Sequence, residues 1–299
     1  MYALTGASGQ LGRLTITNLL TKIPANQIIA TTRSPEKLAE FAAQGVIVRP
    51  ADLNDPATLE PAFDGVTRLL IISTSEFGKQ TVQNRAAIEA GLRAGASHLF
   101  YTSVPQADSD LSHWLLKEHA ETENLLRDSG VAWTALRNNA YTNLLPGILK
   151  SLIDRNKLYV LGGDSRPGWI SREDCARVAA AALIGGNHPT GPLEVTGPEA
   201  LGLAGLTGRL SDLLREEITV QVVSGEELVT RLKAKNLPEV AAYSLVRIVD
   251  WLVNGNFSGP TDVVERIAGV KPAPVDEFLK EFAGSKDTEA FVPGAGKAS

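Results

Sequence analysis

The run Thr5-Gly6-Ala7-Ser8-Gly9-Gln10-Leu11-Gly12 follows a short apolar stretch and opens an amphipathic one. Glycines at GxxGxxG spacing between a strand and a helix have a specific use. Gly6 permits a tight turn, Gly9 lets the backbone approach a pyrophosphate, and Gly12 lets helix and strand pack closely. The helix start then offers free N–H groups and the positive end of its dipole to phosphate. Gly6, Ser8, Gly9, Gln10, Leu11 and Gly12 are therefore the expected dinucleotide cradle. The second apolar run ends Ala30-Thr31-Thr32-Arg33-Ser34, with no carboxylate before Glu36. An acid at that place accepts from a ribose 2′-hydroxyl, whereas an arginine fork suits a 2′-phosphate. Arg33, helped by Thr32, Ser34 and Lys37, thus predicts NADPH.

Other polar residues fall at strand ends. Asp52, with Leu53, follows the third strand, where a carboxylate can accept from an adenine amino group. Ser73, Thr74 and Ser75 follow the fourth and are expected near ribose and pyrophosphate. Asn138 follows the sixth, with Asn139 and Tyr141. For each residue singly, capping a loop is the alternative role.

Positioning these groups requires a regular frame, and the hydrophobic pattern supplies one. Strands are expected at Tyr2–Thr5, Ile28–Thr32, Val46–Arg49, Arg68–Ile72, His98–Ser103 and Ala132–Arg137. Helices are expected between them at Gln10–Thr21, Pro35–Ala43, Pro56–Phe63, Lys79–Ala94 and Ser112–Ser129, with glycine turns at Gly45, Gly65, Gly95 and Gly130. Strict alternation implies an α/β, Rossmann-type doubly wound parallel sheet with right-handed crossovers. After Arg137 the rhythm loosens into helices at Leu144–Ile153 and Ser171–Ile184, a strand at Leu193–Thr196 and a mostly helical remainder with a strand at Ile218–Val223. The expected division is an NADP-binding domain over 1–140, with segments of 157–196 returning to it. A smaller, mainly helical substrate-pocket domain takes 141–156 and 197–299. Its Gly-, Ala-, Lys- and Ser-rich end, 284–299, is expected to be a flexible tail.

With 299 residues, 43% hydrophobic and 21% charged, the chain can bury a full core. A net charge of −5 argues against a nucleic-acid partner. Cys175 is the sole cysteine, and the four histidines have no metal-ligand spacing, so no metal site is expected. No apolar run matches a membrane span and the first residues do not resemble a signal peptide, so the expectation is a cytoplasmic protein with a small-molecule electron acceptor. The helices Lys79–Ala94 and Ser112–Ser129 are long enough to pair two copies as a homodimer.

Several of these motifs together resemble one family. The TGASGQLG loop, Arg33-Ser34-Pro35-Glu36-Lys37, Tyr101-Thr102-Ser103, Glu118-His119-Ala120-Glu121-Thr122-Glu123, Leu136-Arg137-Asn138-Asn139 and Ser171-Arg172-Glu173-Asp174 resemble the NmrA-like family. This is an atypical branch of the short-chain dehydrogenase/reductases. The likeness is nearest to its quinone oxidoreductase 2 and triphenylmethane reductase group and fades after about Glu199. It implies an NADPH-dependent reductase of quinones or cationic dyes. NmrA itself, a transcriptional co-regulator that binds dinucleotides without known catalysis, implies the alternative of an NADP(H)-sensing regulator.

Ordinary short-chain dehydrogenases carry Tyr-x-x-x-Lys on the helix after the fifth strand and a serine at that strand's end. The tyrosine protonates the oxyanion left by hydride transfer. Ser103 matches the serine, but no Tyr-x-x-x-Lys follows. Leu115, His119, Thr122 and Leu126 share one helical stripe. By resemblance, His119 stands where some NmrA-like reductases carry lysine, and Leu115 replaces the tyrosine. Two readings of His119 stay open: a hydrogen-bonding partner of the nicotinamide ribose or substrate oxygen, or a half-buried histidine with a backbone partner. His113 and Lys117 imitate the missing pair but lie on a different face. Tyr141 is expected to stack on a flat substrate or wall the nicotinamide pocket, a core position at the domain junction being the alternative; Ser103, His119 and Tyr141 are the candidate catalytic set. A quinone or cationic dye accepts hydride with little proton assistance, so losing the tyrosine suits such planar electrophiles better than ketones.

Overall fold

The computed structural model describes residues 1–74, 76, 78–186 and 190–284. In chain order the first elements are β1 (Tyr2–Leu4), α1 (Gln10–Leu20), β2 (Ile28–Thr32), α2 (Ala39–Ala43), β3 (Ile47–Pro50), α3 (Leu59–Ala62) and β4 (Arg68–Ile71). There follow α4 (Gln80–Arg93), β5 (His98–Ser103), α5 (Trp114–Arg127), β6 (Ala132–Asn138), α6 (Leu145–Leu152), β7 (Ile153–Asp154) and β8 (Lys157–Val160). The chain continues through α7 (Arg172–Ile184), β9 (Gly191–Val195), α8 (Leu203–Leu214), β10 (Thr219–Val222), α9 (Gly225–Ala234), α10 (Glu239–Asn254), α11 (Val263–Ala268) and α12 (Val275–Ala283).

Two compact units are present. The first comprises Met1–Asn138, Arg172–Val195 and Asp262–Lys271. Its seven strands run parallel in the order β3-β2-β1-β4-β5-β6-β9. The chain starts at β1, steps outward to β3, then returns to β4 on the other side of β1. This reversal opens a crevice beyond the carboxyl ends of β1 and β4, where such sheets bind ligands. All five residues of β2 and the last three of β4 are buried, because helices cover both faces. The core joins Ile29, Leu69, Ile71, Leu99 and Tyr101 to Phe63, Ala87 and Leu126. Helix α1 lies along α7, where Arg172 donates to Gln10 Oε1 at 2.5 Å.

The second unit comprises Asn139–Ser171, Thr196–Thr261 and the chain from Pro272. It holds helices around a small sheet ordered β10-β8-β7. Strands β7 and β8 form a hairpin where the sequence pattern predicts a helix end and a loop. Its two-residue turn, Arg155-Asn156, has φ of 45° and 61°, the left-handed pair that tight hairpins require. Trp169 is fully buried there and donates from Nε1 to Leu201 O at 2.7 Å. Arg209 joins α8 to α12 by pairing with both Glu199 and Asp276. The sequence pattern places all of 197–299 in the smaller domain. Contacts instead group Asp262–Lys271 with the first unit, since α11 packs its buried Val263 and Val264 against α7 and β9. Among the described residues no helix is long and apolar enough to cross a membrane.

Candidate active site

Gly6 takes φ of +61°, a conformation that disfavours any side chain. Gly9 N–H returns to Gly6 O at 2.9 Å and closes the turn. A Cβ on Gly12 would sit 2.5 Å from Gly6 O and 2.8 Å from Ala7 Cα, so the helix can approach the loop only without one. Gly9 is the N-cap of α1, no side chain caps the helix, and no acidic residue stands in its first turn. A pyrophosphate fits this cradle: the N-terminal amides are not capped by a side chain and the local field favours an anion. Gly6, Gly9 and Gln10 are exposed, Ser8 is half-buried, and Leu11 and Gly12 are buried under the loop.

Neighbouring strand ends are tied to the loop. Thr32 Oγ1 donates to Ser8 Oγ at 2.9 Å, and Ser34 N–H returns to Thr32 Oγ1 at 3.2 Å. Arg33 is exposed, with its guanidinium 3.6 Å from the Glu76 carboxylate. Glu76 also lies 3.8 Å from Lys79 Nζ and accepts from Gln83 Nε2 at 3.2 Å. Gln83 is buried; it accepts from Thr74 Oγ1 at 2.6 Å and donates to Asn54 Oδ1 at 3.0 Å. Asp52 holds its own loop by accepting from Asn54 N–H at 2.9 Å, and Leu53 packs on the core. Ser73 bonds Thr102 through both its backbone N–H and its hydroxyl. Ser75 lies outside the described residues. Glu76 was missed by sequence reasoning, since a loop carboxylate gives no sign of which basic group it will face.

The carboxyl end of β5 carries the candidate chemistry. Ser103 is buried and donates to Glu123 Oε1 at 2.7 Å. Glu123 is held in turn by Arg137, at 2.9 Å from Nε and 2.6 Å from Nη2. Arg137 also reaches Glu194 at 3.2 Å and Asp108 at 3.0 Å. Burial opposes the charged guanidinium, but hydrogen bonds and charge from Glu123 raise its pKa well above the ordinary value. Ser103 is thus committed to an ion cluster on β6, α5 and β9.

His119 is buried at 3% exposure. Its partner is not a backbone group but the Tyr101 hydroxyl, 2.7 Å from Nδ1. Burial pushes the imidazole down to about 3, so the ring is neutral, and the same burial raises the Tyr101 phenol far above its usual range. Asn84 Nδ2 reaches Tyr101 Oη at 3.4 Å and Thr122 Oγ1 at 3.1 Å. His113, by contrast, caps α5 by accepting from Leu115 N–H at 3.3 Å. Asn138, buried, ends β6 in the first unit. Tyr141 belongs to the second unit, half-buried and bridged to Ile170. The first unit brings the glycine loop, Arg33, Asp52, Ser73, Ser103 and His119 to strand ends and flanking helices of one sheet.

Parallel sheet, glycine cradle and strand-end polar groups define a dinucleotide-binding oxidoreductase fold. The chain belongs to the NAD(P)H-binding family, which matches residues 6–184. It is 36% identical over 239 residues to quinone oxidoreductase 2 of Escherichia coli, covering 80% of this chain and 83% of that protein. The crystal structure of the NADPH-dependent quinone oxidoreductase from Escherichia coli, complexed with NADPH, superposes with a TM-score of 0.85 at 33% identity, covering 94% of this chain and 99% of that one. Triphenylmethane reductase of Citrobacter sp., complexed with NADP(H), gives 0.86 at 31% identity over 93% and 98% of the two chains. An NmrA-like family domain-containing oxidoreductase of Aspergillus flavus is 29% identical, over 94% of each. The protein is an NAD(P)H-dependent oxidoreductase with NmrA-like relatives.

Proposed function

We propose that this enzyme reduces a quinone or similar planar electrophile with NADPH. The observation that carries the reading is the chemistry available at the end of β5. Ser103 donates to Glu123, His119 is buried and neutral, and by resemblance Leu115 replaces the usual catalytic tyrosine. These groups offer orientation and a hydrogen bond rather than a strong acid. A ketone would need an acid for its alkoxide; a quinone does not, because the hydroquinone anion formed by hydride addition is weakly basic and takes its proton from solvent. Bound NADPH supplies the hydride.

In this reading Gly6, Ser8, Gly9, Gln10, Leu11 and Gly12 hold the pyrophosphate, and Arg33 takes the 2′-phosphate. Asp52 and Leu53 flank the adenine, while Ser73, Thr74, Ser75 and Asn138 line the route to the nicotinamide. His119 donates a hydrogen bond near the reacting ring, Ser103 braces the strand end, and Tyr141 walls the acceptor. The test is NADPH consumption with benzoquinones, naphthoquinones and a triphenylmethane dye, on wild type and His119→Ala. Turnover that falls in the variant supports the assignment, and turnover that survives removes His119 from the site. NADPH binding without turnover of any acceptor would favour the NmrA-type sensing alternative.

A further inference from the structure

Four buried side chains of the first unit form a hydrogen-bonded cluster. Thr122 Oγ1 donates to Glu118 O, one turn back on α5, at 2.8 Å. With its proton engaged there, Thr122 Oγ1 can only accept from Asn84, 3.1 Å away on α4, so the amide must present Nδ2. This orientation leaves Asn84 Oδ1 buried without a hydrogen-bond partner, whereas the opposite one would set two acceptor oxygens against each other. Asn84 Nδ2 also faces Tyr101 Oη at 3.4 Å. With the tyrosine oxygen accepting from the amide, its own proton is available to His119 Nδ1, its shortest contact at 2.7 Å. A neutral imidazole that accepts at Nδ1 must carry its proton on Nε2.

We propose that Tyr101 is a positioning residue that fixes His119 as the neutral Nε2–H tautomer, a hydrogen-bond donor to the acceptor oxygen or the nicotinamide ribose. The relay ties β5, α4 and α5 together, so the donor's direction is set by packed elements rather than by a mobile loop. Burial of His119 keeps the ring uncharged through the neutral range, consistent with a donor that does not exchange protons with substrate. The donor's target rests on the quinone reductase reading; the tautomer does not.

The experiment is a long-range ¹H–¹⁵N spectrum of the full chain labelled with ¹⁵N-histidine, the His119 signals being assigned by their loss in His119→Gln. The expected wild-type pattern is the neutral Nε2–H tautomer. In Tyr101→Phe, which keeps the ring and removes the hydroxyl, the Nδ1 signal should move toward a mixture of tautomers. With an acceptor that the enzyme reduces, kcat should fall about tenfold, the worth of one oriented hydrogen bond. A wild-type ring protonated on Nδ1, or on both nitrogens, would overturn the proposal, as would Tyr101→Phe with unchanged signals. The wild-type spectrum decides the tautomer even if the variant fails to fold. If His119→Gln turns over normally while the wild-type ring is Nε2–H, the reading of the site has failed and the tautomer assignment has not.

Discussion

Arg33 and Glu76 raise a question that geometry alone frames. The arginine assigned to a 2′-phosphate already faces a carboxylate 3.6 Å away. An exposed pair of this kind is worth little to stability. In the proposed site it matters for binding, because an incoming 2′-phosphate would share Arg33 with Glu76 and meet the nearby negative charge. Arg33→Gln should weaken NADPH binding by about tenfold or more, since a charged hydrogen bond to phosphate is lost, and leave NADH nearly unchanged. Glu76→Gln should tighten NADPH binding several-fold without helping NADH. Titration of both cofactors against the two variants checks this. Parallel changes for NADPH and NADH would remove Arg33 from the phosphate site. Arg33 was legible from its place at the end of the second strand, whereas Glu76, Glu123 and Tyr101 were not recognised as partners. Their partners lie on other elements: Glu76 meets Arg33 across two strand-end loops, Glu123 meets Arg137 of β6, and Tyr101 meets His119 of α5.

At the scale of elements, the first βαβ unit depends on Gly12. Its missing side chain lets α1 start against the loop, and the atoms a Cβ would strike are backbone, which cannot swing aside. Gly12→Ala should therefore cost about 1–3 kcal/mol of stability, the range for overpacked sites, and should also weaken NADPH binding by displacing the helix N-terminus. Urea unfolding and a cofactor titration of the variant measure the two effects. Unchanged values in both would mean that the loop relaxes freely.

The same unit explains why much of the fold could be read from sequence. Strands buried on both faces announce themselves as apolar runs, and glycine turns mark their ends, so six strands fall where expected to within a residue or two. The second unit has weaker signals. Hairpin β7–β8 is short, and its turn uses Arg155-Asn156 without glycine, so periodicity alone reads it as helix end and loop. Helix α11 shows the other limit: six residues with two buried valines do not reveal which unit they will cover.

For the molecule as a whole, buried ionisable groups set the response to acid. Free histidine titrates near 6.5, but His119 in the folded chain holds off protonation until about 3. Between these values the unfolded chain binds a proton that the folded chain refuses. The stabilisation is therefore complete above 6.5 and is lost as pH falls through that window, at a limiting slope of about 1.4 kcal/mol per pH unit. His119→Gln should flatten the fall of the urea midpoint between roughly pH 6 and 4. A slope equal to that of wild type would mean that the ring is already charged or exposed.

The assignment as a reductase of planar electrophiles turns on direct hydride transfer. The most direct test mixes NADPH-loaded enzyme with a naphthoquinone in a single turnover, using NADPH that carries either hydrogen or deuterium at the transferring C4 position. The predicted result is loss of NADPH and of quinone together, one for one, slowed by deuterium. Bound NADPH that stays unoxidised in the presence of quinone would contradict it.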